Sequence, residues 1–244
     1  ASMTMDISNQ NKLSEFYEEL KRLNVEVVRP DINECFANFK TIDDKFYYAL
    51  GGIKAVGYEA ISNIVEERIL NGKFESIHDF INRVNPKDIN KLQLEGLVRA
   101  GAFDCINSNR QSLFDSIPNL ILKSKNNFEN KSINQINLFQ DELQKDEDFL
   151  AKIDDWNTDT RLSKEFETLG FFISDHPLNQ YKSIFNQYNI VSYENFEIDQ
   201  NCLSSNIACT VLKVQEKKTQ KGNSYAIVKF SDLSGVFELF IFSD

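Results

Sequence analysis

Apolar residues along this chain recur at helical spacing, then at strand spacing, then at helical spacing again, and the changes of period mark its elements. Residues 11–23, NKLSEFYEELKRL, place Leu13, Phe16, Tyr17 and Leu20 on one side of an amphipathic helix. VEVV, just ahead of Arg29-Pro30, predicts a short strand halted by proline. CFANFKTIDDKFYYAL alternates on both sides of Asp43-Asp44 and predicts a hairpin. In YALGGIKAVGYEAISNIVEER, residues 48–68, Leu50 and Ile53 make an i, i+3 step. Ala60, Ile61, Ile64 and Val65 then share one face of a helix that runs to about Leu70, where Asn71-Gly72 ends it. SIHDFINRV adds a helix through Ile77, Phe80, Ile81 and Val84, broken at Pro86. KDINKLQLEGLVRAGAFDCI predicts a further helix with its stripe at Ile89, Leu92, Leu97 and Val98, and Asn109-Arg110 opens another through Ile117.

Twice, then, the chain writes helix, glycine-bearing turn, helix, about 45 residues apart, which reads as an internal duplication. In the first copy Gly52 and Gly57 leave the backbone uncovered just before a helix start. The amides there are unpaired and sit at the positive end of the helix dipole, which makes an anion seat suited to phosphate. Gly57 is expected at positive φ, so Gly57→Val would be expected to disturb the seat. The plainer reading is that these glycines only end one helix and open the next.

After Ile117 the pattern fades. Residues 123–137, KSKNNFENKSINQIN, hold ten Lys, Ser or Asn in fifteen positions and read as a linker. Helical spacing resumes in DTRLSKEFETLGFFISDHPLNQYKSIFNQY, with Gly170 and Asp175-His176-Pro177 between two helices and Pro177 in a first turn. From Asn206 the period becomes two. IACTVLKVQEKKTQ, SYAIVKFSDLS and VFELFIFSD are three strands joined by KGN and SG turns, the start of a small barrel, best matched by a five-stranded oligonucleotide-binding (OB) fold. With three strands of five, the chain reads as a fragment.

Net charge is −10, yet it is unevenly spread. From Asp141 to Glu167 ten acidic residues face four basic ones, read as a solvated helical face, whereas Lys213 to Lys229 holds five lysines and one glutamate. Phosphate binding follows local charge, so the total does not exclude nucleic acid. Two histidines and four scattered cysteines make a zinc site a poor fit, and the cysteines are expected reduced in a cytoplasmic protein. No apolar run reaches about 18 residues, so no membrane partner is expected. Asp43-Asp44, Asp146-Glu147-Asp148 and Asp154-Asp155 are read as surface groups rather than a two-metal site, and His176 as a helix-start residue.

RPDINECFANF, ALGGIKAVGYEAI, LEGLVRAGAFD, ETLGFFISDHPLNQY and SDLSGVFELFIFSD, in this order, resemble the alpha subunits of bacterial DNA polymerase III, the C-family replicative polymerases. Two departures stand out: Ala55-Val56-Gly57 where the family reads Gly-Val-Gly, and Ser174-Asp175-His176-Pro177 where it reads Ser-Gly-His-Pro. The resemblance implies a mainly α chain downstream of the catalytic palm. Residues 1–48 would end the fingers, 49–122 form a tandem helix-hairpin-helix domain, and 123–145 a linker. Residues 146–203 would be a helical connector and 204–244 an incomplete OB-fold. It implies duplex contacts by Gly52, Lys54, Val56 and Gly57 in the first hairpin and by Arg99, Gly101 and Arg110 in the second. Lys217, Lys218 and Lys221 would meet single-stranded template. QINLF, Gln135, Ile136, Asn137, Leu138 and Phe139, has the form Gln-x-x-Leu-Phe that docks such polymerases on a sliding clamp. Other holoenzyme subunits are implied partners, and magnesium is expected in the missing palm rather than here.

Three function classes fit these residues. The first is a DNA-holding, clamp-docking part of a replicative polymerase, whose parent would be a DNA-directed DNA polymerase, while this stretch shows no catalytic carboxylate set. The second is a helix-hairpin-helix/OB module of a repair protein or error-prone paralogue. The third is a structural adaptor whose hairpins only pack helices; salt-dependent duplex binding separates it from the others.

Overall fold

Asp43 and Asp44 sit at φ 48° and 62°, the left-handed pair that a two-residue hairpin turn needs. They join β2 (Lys40–Ile42) to β3 (Lys45–Tyr47), antiparallel with Thr41 opposite Phe46. β1 (Glu26–Val28) runs parallel along the other edge of β3. The computed structural model describes residues 2–132, 149–199, 203–219 and 222–242, and the chain divides into two compact units, Ala1–Ser174 and Asp175–Asp244.

In the first unit α1 (Ser2–Met5) precedes α2 (Gln10–Arg22), whose cap, Asn9, accepts the Lys12 amide. The stripe works as patterned: Leu13 and Tyr17 are buried, Phe16 and Leu20 lie against the core, and the Tyr17 ring stacks on Phe171 at 4.5 Å. A single 3-10 turn (Leu50–Gly52) leads to α3 (Tyr58–Asn71), which stops at Gly72 with φ 87°. α4 (Ile77–Arg83) is capped by Ser76, and α5 (Lys91–Arg99) by a reciprocal box in which Asn90 and Gln93 bond each other's amides.

That box corrects the expected stripe of α5. It makes Lys91 the first helical residue, so Ile89 is core but precedes the helix, and the inner face becomes Leu94, Leu97 and Val98. Leu92 is 62% exposed. α6 (Arg110–Ser132) also differs: it passes through Pro118 and into the stretch read as a linker. Leu113, Ile117, Leu120 and Ser124 are buried at helical spacing, and the helix packs on α5 and α4. That packing outweighs the hydrogen bond proline removes. α7 (Thr158–Leu169) ends at Gly170 in the left-handed conformation. Leu169, Phe171 and Ile173 join the core of the first unit, and Trp156 packs against it. The expected 146–203 connector is therefore divided between the units.

Near the start of the second unit His176 Nδ1 accepts the Leu178 amide at the head of a 3-10 turn (Pro177–Tyr181), the helix-start role expected. Its Nε2 lies 3.1 Å from Ser231 Oγ. α8 (Lys182–Phe185) and α9 (Tyr193–Ile198) follow. β4 (Thr210–Lys218), β5 (Ser224–Ser231) and β6 (Val236–Phe242) make one antiparallel sheet in that order, open among the described residues. The three strands match the sequence pattern; a closed barrel is not formed by them.

Candidate nucleic-acid interface

Packing against α5 sets the first hairpin's turn. A Cβ on Gly96 would lie 2.8 Å from the Lys54 carbonyl oxygen and 3.0 Å from Val56 Cγ2, so the turn rests directly on this helix backbone. The Lys54 amide also donates to Thr168 O at 3.3 Å, and Gln10 Nε2 donates to the same oxygen at 2.7 Å. Gly96 was not singled out in the sequence; an isolated glycine within a helical stripe was its signal.

The left-handed residue of this turn is Ala55, at φ 66°. Gly57 is extended (φ −78°, ψ 133°) and is the cap of α3, which corrects the expectation of positive φ there. Ala55 therefore bears a cost of about 1–2 kcal/mol for an L-residue in this conformation. Gly52 and Val56 are buried, whereas Lys54, Ala55 and Gly57 are exposed. Ile61 N bonds Gly57 O at 3.1 Å, and Gly57 offers no side chain to cap the helix. Among the described residues the amides of Ala55, Gly57, Tyr58, Glu59 and Ala60 have no protein acceptor. Beside the turn runs a groove of about 740 Å³ between Ser8–Asn11 and Gly51–Val56. Lys54 is its one charged lining residue, and no carboxylate lines it. Lys54 and Ala55 line this groove, and the uncapped start of α3, which carries Glu59 in its first turn, follows directly; backbone amides beside an ammonium can hold a phosphodiester.

In the second hairpin the helix C-terminus closes as a Schellman motif: Ala102 N bonds Leu97 O at 2.9 Å and Gly101 N bonds Val98 O at 3.0 Å. Gly101 has φ 78°, and a Cβ there would fall 2.1 Å from Arg110 Nη2, because the guanidinium lies against its Cα. Arg110 Nε and Nη2 hold Asp104 at 2.9 and 2.7 Å, and Nη1 donates to Arg99 O at 3.2 Å. Its side chain is 5% exposed. Neighbouring carboxylates outweigh burial and raise its pKa further, so it stays charged. The expectation that Arg110 and Gly101 meet phosphate is corrected: they fasten the turn from inside. Arg99 is half-buried, 5.0 Å over the Phe114 ring and 3.6 Å from Glu95.

The start of α6 is also closed. Asn109 Oδ1 accepts the Ser112 amide at 2.9 Å, and Asp155 Oδ1 accepts the Gln111 amide at 3.0 Å. Arg161 pairs with Asp155 and, at 3.1 Å, with Asp104. The helix start is thus satisfied by side chains of the protein itself. The acidic stretch is thus no uniformly solvated face: Asp155 is engaged and Glu165 is 1% exposed, accepting the Ile173 and Ser174 amides at 2.8 and 2.9 Å.

In the second unit Lys217 and Lys218 are exposed at the end of β4, opposite Tyr225 and Ser224. Alternation puts Lys217, Tyr225 and Phe242 on one sheet face, where Tyr225 stacks on Phe242 at 5.5 Å and on Phe240 at 6.5 Å. Phe240 and Phe242 are 59% and 63% exposed. The alternation of VFELFIF carries the signal for the aromatic half of this face, since Phe240 and Phe242 are two residues apart. Lys221 and the QINLF segment, Gln135 to Phe139, lie outside the described residues.

The helix-hairpin-helix motif family matches residues 24–113. Over its whole length the chain is 32% identical to the DNA polymerase III subunit alpha of Borreliella burgdorferi, covering 22% of that protein. It is 31% identical to the one from Caulobacter vibrioides over 98% of the chain and 21% of the relative, and 30% to that of Escherichia coli K12 over the whole chain and 22% of the relative. The chain spans about a fifth of the length of the curated relatives it matches. No helix among the described residues is long and apolar enough to cross a membrane.

Proposed function

We propose, from the likeness of the whole chain to DNA polymerase III subunit alpha, that this segment holds duplex DNA by its backbone during template-directed synthesis by a cytoplasmic replicative polymerase. The observation that carries the reading is the first hairpin, where Lys54 and Ala55 line a groove without a carboxylate and the uncapped start of α3 follows directly. Backbone amides and one ammonium recognise phosphate irrespective of base, as a processive enzyme requires. The half-buried Tyr225 and exposed Phe240 and Phe242, with Lys217 on the same face and Lys218 beside it, suit stacking of single-stranded template on a partial OB-fold. Magnesium-dependent phosphoryl transfer would belong to the rest of the parent polymerase, with other holoenzyme subunits bound there.

Anisotropy of a labelled duplex over a salt series tests this. Lys54→Ala should weaken binding for every sequence and lower the salt slope by about 1, while Lys91→Ala, outside the groove, leaves both unchanged. Equal losses in both variants, or affinity indifferent to salt, would favour the structural-adaptor reading.

The same reading assigns Gln135–Phe139 to the sliding clamp, with Leu138 and Phe139 filling an apolar cleft and the Gln135 amide at its rim. Two such side chains supply about 3–6 kcal/mol before ordering costs, hence micromolar strength for the peptide alone. Leu138→Ala with Phe139→Ala should abolish clamp binding and processive synthesis by the full-length enzyme and leave its melting temperature in place. Lost stability with clamp binding kept would make the pair a structural staple.

A further inference from the structure

The residue that closes the cap of α5 also reaches the first hairpin. Gln93 Oε1 accepts the Asn90 amide at 3.0 Å, and this bond turns Nε2 of the same side chain the other way. Nε2 lies 3.2 Å from where a Cβ on Gly57 would stand. Gln93 is only 9% exposed, yet Nε2 has no acceptor among the described residues and is not sealed from solvent. Three residues on, Gly96 rests against the Lys54 carbonyl, so one face of α5 touches the turn at both ends.

Gly57 holds the cap position of α3 in an extended conformation. From there a Ser or Asp side chain would place an oxygen against the amides of the second and third helical residues, here Glu59 and Ala60. Glycine supplies no such oxygen, and both amides lack a protein acceptor. Two backbone donors and the Gln93 carboxamide therefore border the space of the missing cap. Glu59 is the one acid of this first turn and is exposed, where salt screens its repulsion.

We infer that Gln93 is a phosphate-binding residue: Nε2 and the amides of Glu59 and Ala60 take a phosphodiester oxygen in the space of the missing cap. The assignment rests on the duplex reading of the first hairpin and adds to it a donor from the neighbouring helix. Neutral donors at a helix start suit the single charge of a phosphodiester and read no base.

Gln93→Glu is the discriminating variant. Glutamate serves in the capping box as glutamine does, so the bond to Asn90 is kept, but a carboxylate oxygen replaces the donor. Duplex affinity of the 244-residue chain, measured by anisotropy at matched ionic strength, should fall about tenfold or more with the melting temperature unchanged. Gly57→Ser puts an oxygen of the protein into the same space. It should raise the melting temperature of the first unit by about 2–4 °C and weaken duplex binding about three- to tenfold, opposite signs that a purely structural Gln93 does not produce. In the ¹⁵N-labelled chain the Gln93 side-chain amide signal should shift saturably with duplex, and more weakly with dimethyl phosphate. Loss of binding in Lys54→Ala but not in Gln93→Glu would overturn the assignment to Gln93 and leave the duplex reading standing. Wild-type affinity indifferent to salt would overturn both. Undiminished binding by Gly57→Ser would overturn the assignment whatever Gln93→Glu does to the fold.

Discussion

The two hairpins of the first unit share a plan of helix, tight turn and helix, yet their turns are completed in opposite ways. In the first, Gly57 opens α3 with no capping side chain, and the turn just before it lines a groove whose one charge is Lys54. In the second, the start of α6 is satisfied by Asn109 and Asp155, and Arg110 is drawn beneath the turn onto Asp104. A repeated motif therefore need not repeat its function. What separates the copies is a carboxylate arriving from 44 residues away in the chain, which caps the helix start of one hairpin, whereas the other helix start has no capping side chain.

The sharpest way to break this contrast is through the turn glycines. Gly101→Ala places a methyl in the space of the Arg110 guanidinium at φ 78°. Losing that buried pair and straining the backbone should cost about 4 kcal/mol and lower the unfolding temperature of the first unit by about 8–16 °C. Gly57→Ala meets only Gln93 Nε2, at 3.2 Å, in an extended conformation, and should cost less than about 1 kcal/mol. Calorimetry of the two variants reads the difference; equal costs would remove the asymmetry.

A smaller change is expected from opening the second seat. Asp155→Ala frees the Gln111 amide and removes a negative charge there while Arg161 keeps Asp104, so duplex affinity should rise about two- to five-fold with a steeper salt slope, at about 1 kcal/mol of stability. Unchanged binding in the anisotropy assay would mean that the second turn does not lie along the DNA path.

Least is expected from Ala55→Gly. Glycine relieves the left-handed strain but adds freedom to the unfolded chain, for a net gain of about 0.5–1 kcal/mol in urea titration, with duplex binding kept. Destabilisation instead would show that the Ala55 methyl contributes packing that outweighs its strain.

Local chemistry in the chain was enough for most elements. Asp43-Asp44, Asn71-Gly72, Ser76, Gly170 and His176-Pro177 act within a few residues of themselves, and the structure has the turns, caps and stops they announce. Amphipathic spacing likewise placed Leu13, Ile61, Phe80 and Leu97 in the core. The largest departure has longer range. Pro118 is a local stop signal, but packing on α5 and α4 carried α6 past it to Ser132. Leu92 departs for a local reason: the Asn90–Gln93 box starts the helix at Lys91 and leaves Leu92 exposed.

The candidate site divides along the same line. A glycine-bearing turn before a helix is visible in the residues, because backbone freedom and helix starts are local properties. Which arginine is exposed and which amide is free are not, because ion pairs such as Arg110–Asp104 and Asp155–Arg161 depend on charges brought together by the packing of α5, α6 and α7. Only that tertiary arrangement decided that Ala55 rather than Gly57 takes positive φ, since Gly96 lets the turn rest on the α5 backbone.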